Sequence, residues 1–288
     1  MITADKHTAN DSLPVGKVIL AGAGPGDPEL ITLKTMRYLR QADVVLTDRL
    51  VSEQILIRYA NPQAEIIYVG KQCRRGASTP QSSINDLLVF HASRGKLVVR
   101  LKGGDASVFS NILDELQVLV EENIPYEIVP GVTAALGAAA YAGIPLTARG
   151  FSKAVRFVTY YKSDIVSETY WKELAQTDDT LVFYMSAETL GDAVRHLLDN
   201  QISPDKKLAL IAQATTPLQH VQVSGLAEYL QDSAGKQYIS PSIVIIGKVV
   251  ALHEHFAWLS NSEVREEYFK PVEGRAALPK DISALADI

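Results

Sequence analysis

The sequence predicts a two-domain α/β protein, with a mostly parallel sheet in residues 15–150 and a mixed sheet in residues 151–260. Three observations point there. Short Val/Ile/Leu-rich runs alternate with helix-period segments through residue 142, the pattern of strand–helix–strand crossovers. The stretch 143–153 (GIPLTARGFSK) breaks that alternation and reads as a linker, after which a second alternation begins. Within the second, 220–223 (HVQV) alternates polar with apolar, as an antiparallel strand with one wetted face does. At 288 residues, 47% hydrophobic and 21% charged, the chain can build two cores.

In order, 17–21 (KVILA) is a buried strand followed by a glycine loop, 32–41 a helix, 43–47 (DVVLT) a strand and 64–69 another. Thr79 and Pro80 suit the N-cap and first turn of a helix that places Ile84, Leu87 and Leu88 on one face. Residues 97–101 (LVVRL) form a strand. Residues 108–123 form an amphipathic helix with Phe109, Ile112, Leu113, Leu116, Leu119 and Val120 at helical spacing. A strand at 126–129 leads to a helix at 133–142, so rich in alanine that something must approach it closely, and Gly143 and Pro145 end it. The second half has strands at 155–159, 180–185, 208–212 and 242–247, and a helix at 191–199. Residues 1–14 and 261–288 read as peripheral tails.

The net charge of −5 disfavours nucleic acid, whose affinity for proteins rests on phosphate contacts. No apolar run approaches the roughly 18 residues of a membrane helix, and the polar N-terminus lacks a signal-peptide core. Cys73 is the single cysteine, so no internal disulfide forms, and a cytoplasmic location is expected. His253 and His255 form an HxH pair without a third ligand, so no metal site is expected.

Three glycine loops follow strands. Gly22 and Gly24 fit the start of a dinucleotide fingerprint, but Asp27 stands where its third glycine belongs, and Pro25 lacks the N–H that a phosphate cradle uses. The loop is either a tight turn or a backbone passing close to a flat ligand without phosphates. At Lys102-Gly103-Gly104-Asp105, paired glycines admit a ligand, and Asp105 either holds a polar group or caps the next helix. Pro130-Gly131-Val132-Thr133 opens the alanine-rich helix. Together the three loops can line one cleft at the carboxyl edge of one sheet. Asp48-Arg49 and Gly70-Lys71 also follow strands, where either pair can be functional or simply solvated charge.

The segments GAGPGDPELITLK, VVLTDRLVS, VGK, VVRLKGGD, PGVTAALGAAAYAGIPLT, TLVFYM and IVIIGKVVAL, in this order, resemble the tetrapyrrole methylases over residues 15–258. The resemblance implies the two-domain tetrapyrrole methylase fold, S-adenosylmethionine in the interdomain cleft and a homodimer. The expected substrate is uroporphyrinogen III, methylated twice to precorrin-2 for sirohaem or cobalamin synthesis. Matching positions place cofactor contacts at Pro25, Gly103, Gly104, Asp105, Val108, Thr133, Ala134, Met185 and Ala214. Asp48 matches the family's proton acceptor and Lys71 its proton donor. Among basic residues flanking the cleft segments, Arg49, Lys102, Arg149 and Arg156 are the main candidates for substrate carboxylates, with Lys71, Arg74, Arg75 and Lys153 beside them. Arg49 is also the expected charge partner of Asp48.

The chain departs from the family at GGDASVFSNILDE, where GGDPFIFGRGGEE is common, and at Thr47, Ala148 and Ala214. These changes bear on substrate contacts more than on the cofactor. The alternatives are another precorrin methyltransferase of corrin synthesis or a non-catalytic S-adenosylmethionine-binding module. With the resemblance filling most of the chain and no dinucleotide fingerprint, the dehydrogenase and chelatase steps of sirohaem synthesis are expected to be absent.

Overall fold

Strand β1 (Lys17–Gly22) is apolar on both faces, which suits it to the inside of a parallel sheet. In the computed structural model, which describes residues 15–69, 80–161, 164–186, 188–232 and 239–269, β1 pairs with β4 (Leu97–Lys102) and β5 (Tyr126–Val129). Strands β2 (Val44–Thr47) and β3 (Glu65–Tyr68) complete a five-stranded sheet in the order β3-β2-β4-β1-β5, and every pairing in it is parallel. Successive residues of a strand face opposite sides. Val18 and Leu20 therefore join the core under α3 (Gln81–Ala92) and α4 (Ile112–Glu121). Ile19 and Ala21 join the core under α1 (Leu33–Gln41) and α2 (Glu53–Tyr59).

The second sheet has the order β6-β7-β10-β8-β9. Strand β6 (Val155–Thr159) is parallel to β7 (Thr180–Tyr184). Strands β10 (Ser242–Gly247), β8 (Lys207–Ala212) and β9 (His220–Gly225) continue from β7 in antiparallel fashion. One face packs on α6 (Glu168–Gln176), α7 (Leu190–Asp199) and α8 (Leu226–Asp232), around Trp171, Phe183, Val194 and Leu197.

The opposite face of the second sheet packs on α5 (Ala134–Tyr141), a helix that belongs to the first half of the chain. Ala135, Ala138 and Ala139 share one core with Val182, Ile211 and Ile245. This explains the alanine content: α5 is wedged between the two halves. A Cβ at Gly137 would stand 2.5 Å from Pro25 Cγ and 3.0 Å from Thr215 Cγ2, so both halves press on it. Among the described residues no helix is long and apolar enough to cross a membrane.

Three local readings change. Helix α3 starts at Gln81 with Pro80 at its cap, and Thr79 lies outside the described residues. Helix α4 starts at Ile112 rather than at 108, because Phe109 and Asn111 take left-handed φ values of 50° and 55°. Its buried face also differs: Glu115 and Leu119 are buried, while Leu113 and Val120 are exposed. Helices α6, α8 and the short α9 (His253–Phe256) add to the elements expected from the sequence.

Candidate active site

Because β4, β1 and β5 are adjacent and parallel, their three glycine loops leave the same sheet edge side by side. Ligands bind at that edge in open α/β sheets. Gly24 and Gly104 exchange backbone hydrogen bonds, Gly24 N to Gly104 O at 3.0 Å and Gly104 N to Gly24 O at 2.8 Å. A Cβ at Gly131 would meet Gly104 O at 2.4 Å, so at Gly131 neighbouring backbone imposes glycine. Gly104 differs. Its φ is +71°, and an added Cβ would find nothing nearer than Ala134 N at 3.6 Å, an ordinary van der Waals contact beside Thr133 and Ala134.

Asp105 builds these loops. Its Oδ1 accepts from Ser107 N (2.8 Å), Ser107 Oγ (2.7 Å) and Val108 N (3.1 Å), and its Oδ2 accepts from Gly131 N (2.9 Å). Burial opposes its charge, yet the bonds from Ser107, Gly131 and Val108 outweigh burial and hold the carboxyl below its usual pKa. These bonds hold the turn at Ser107 and Val108 and the Gly131 loop rather than capping α4, which starts at Ile112.

The second sheet closes the other wall. The Tyr184 hydroxyl lies 2.7 Å from Thr133 Oγ1 and accepts from Ala135 N at 3.0 Å. Burial pushes this phenol above its usual pKa, against those two bonds. Asp27 N donates to Thr215 Oγ1 at 3.1 Å, and a Cβ at Gly26 would meet Thr216, Thr215 and Ala214. Val108 packs against the core that contains Tyr184 and Ala214. Pro25, Gly104, Asp105, Val108, Thr133, Ala134 and Ala214 thus meet at one junction, with Gly103 and Met185 beside them in the same loops. Strain concentrates there. Among the described residues, Phe109, Met185, Gln213 and Thr215 have positive φ in these loops, each costing about 1–3 kcal/mol.

Asp48 ends β2, next to β4, and its partner is not Arg49. Arg100 Nη2 donates to Asp48 Oδ1 at 2.6 Å, because Arg100 on β4 reaches across to the neighbouring strand end. Behind it, Glu115 takes Arg100 Nε at 2.8 Å and Lys102 Nζ at 2.7 Å. Arg100, Lys102 and Glu115 are buried, whereas the Asp48 side chain keeps 26% of its surface exposed. Lys102 is therefore corrected from a substrate contact to a buried partner of Glu115. Burial and the Arg100 charge lower its pKa, against the pull of Glu115. Arg156, which stays partly exposed, bonds Asp179 at 2.6 Å and Glu173 at 2.5 Å, which brace β6 to its own half. Arg49 donates to Phe269 O at 3.1 Å, and Arg149 is exposed. Lys71, Arg74 and Arg75 lie outside the described residues.

Sequence reasoning does not find Arg100, Glu115 or Tyr184. One signal is present: an arginine inside the apolar strand LVVRLK needs a buried acid, and helical spacing places Glu115 on the face beside Leu119.

The junction offers close backbone and a proline in place of a phosphate cradle. The family model for tetrapyrrole (corrin/porphyrin) methylases matches residues 17–229. A siroheme synthase of Acinetobacter baylyi is 46% identical over 246 residues, 85% of this chain and 53% of that protein. The chain thus spans about half the length of the curated relatives it matches. The crystal structure of a uroporphyrin-III C-methyltransferase from Thermus thermophilus is 35% identical, with a TM-score of 0.70, over 85% of this chain and 98% of that one. A second structure of that enzyme, complexed with S-adenosyl homocysteine, is 35% identical with a TM-score of 0.68, over 82% of this chain and 93% of that one. Fold and comparisons together define an α/β methyltransferase. The chain belongs to the tetrapyrrole methylase family of S-adenosylmethionine-dependent methyltransferases.

Proposed function

We propose that the chain methylates uroporphyrinogen III at two ring carbons, giving precorrin-2 for sirohaem or cobalamin synthesis. The observation that carries this reading is the junction of the three glycine loops with Tyr184 and Ala214, beside a partly exposed Asp48. The likeness to the Thermus enzyme over nearly all of that protein supports the choice of substrate.

S-adenosylmethionine, when bound, supplies an activated methyl group, so the protein's task is placement and proton handling. Gly103, Gly104, Thr133 and Ala134 offer backbone and small side chains to the cofactor, with Pro25, Val108, Met185 and Ala214 around them. Asp105 acts by fixing the loops. Asp48 accepts the proton that the methylated pyrrole must lose, and Lys71 is the proposed proton donor. Arg49 and Arg149 remain the candidates for substrate carboxylates. A reducing cytoplasm suits a chain with one cysteine, and we read the working unit as a homodimer on the family resemblance alone.

Gly104→Ala tests the cofactor half of this reading. The new methyl has room against the protein, so its cost is the left-handed backbone, about 1–2 kcal/mol. Calorimetry is expected to show S-adenosylmethionine binding weakened at least tenfold in a protein that still unfolds cooperatively. Parent-like affinity would move the cofactor away from this loop.

A further inference from the structure

Residues 261–269, expected at the periphery, cross between the two halves. Asn261 brackets the Val221 backbone, with Val221 N to Asn261 Oδ1 at 2.7 Å and Asn261 Nδ2 to Val221 O at 2.9 Å. Gln213, after β8, then acts as a strand partner: its Nε2 donates to Glu266 O at 2.9 Å, and its Oε1 accepts from Tyr268 N at 2.6 Å. The far end reaches the loop after β2. The Tyr268 hydroxyl lies 2.8 Å from Ser52 Oγ, Arg49 Nη1 donates to Phe269 O at 3.1 Å, and Phe269 is buried.

We infer that residues 264–269 form a strap that competes with the tetrapyrrole for Arg49, a conclusion that rests on the substrate proposed above. The Phe269 carbonyl takes one N–H of the Arg49 guanidinium, the group proposed above for a substrate carboxylate. A carboxylate there makes a charge-assisted bond, stronger than one to a neutral carbonyl, so the substrate can displace the strap. Ser52 supplies the second state. It occupies the N-cap position of α2 but makes no capping bond while its hydroxyl is turned to Tyr268. Released from Tyr268, that hydroxyl can cap α2, which offsets part of the cost of opening. A strapped population lowers the apparent substrate affinity by the fraction that is open.

The probe is uroporphyrin III, the oxidised and unreactive form of the ring, titrated by absorbance with S-adenosylhomocysteine present. Tyr268→Phe removes only the hydroxyl, and Ser52→Ala removes its partner. A net hydrogen bond of ordinary strength corresponds to about fivefold, so Tyr268→Phe is expected to bind the porphyrin about fivefold more tightly, with unchanged S-adenosylhomocysteine affinity, and Ser52→Ala, which also forfeits the cap of the open state, to gain less. Unchanged or weaker porphyrin binding in Tyr268→Phe would overturn the strap. Failure of the parent and both variants to bind porphyrin would instead overturn the substrate reading, and the strap with it.

Discussion

Asp48→Asn is expected to lower turnover by about 10²–10⁴-fold while leaving S-adenosylmethionine affinity near the parent value. The substitution keeps size and shape and removes the proton-accepting carboxylate. Arg100 stays bonded to Glu115, so the ion cluster keeps one of its acids. Asn keeps the backbone bonds to Leu101 and Val51 and loses only the charged bond to Arg100, so binding and turnover should separate. Steady-state turnover at saturating cofactor, paired with calorimetry, makes the distinction. Near-parent turnover would return Asp48 to the role of a strand-end ion pair. Lost affinity with normal turnover would place it in the cofactor shell.

The second large effect is on stability. Glu115 is fully buried and serves two buried cations, Arg100 and Lys102. Removing one member of a buried ion network strands the others, which typically costs about 3–5 kcal/mol. Glu115→Gln should therefore lower the thermal midpoint by roughly 10 °C, at about 2–4 °C per kcal/mol for a chain of this size. Asp48 loses the support of a fixed Arg100 in the same variant, so turnover should fall as well. A midpoint within about one degree of the parent would mean that the cluster relaxes or admits water, contrary to its burial.

Much of the site is legible in the sequence because it is made of backbone. Glycines after apolar strands mark close approach whatever the ligand, and the alanines of α5 mark a neighbour that proves to be the second sheet. What cannot be read depends on which strands become neighbours. Only the order β2-β4-β1 brings Arg100 to Asp48, whereas pairing Asp48 with Arg49 follows adjacency in sequence, which sets no side-chain direction. The extent of α4 misleads for a related reason. Apolar spacing continues through Phe109, while Asp105 holds the amides of Ser107 and Val108 in a turn. Ser52 and Arg49, which hold Tyr268 and Phe269, lie more than two hundred residues away along the chain, where composition gives no sign of them.

The most direct test is the mass of the product formed when uroporphyrinogen III and S-adenosylmethionine are incubated anaerobically with the folded protein. A gain of two methyl groups is expected. No gain, from protein shown by calorimetry to bind S-adenosylmethionine, would contradict the assignment.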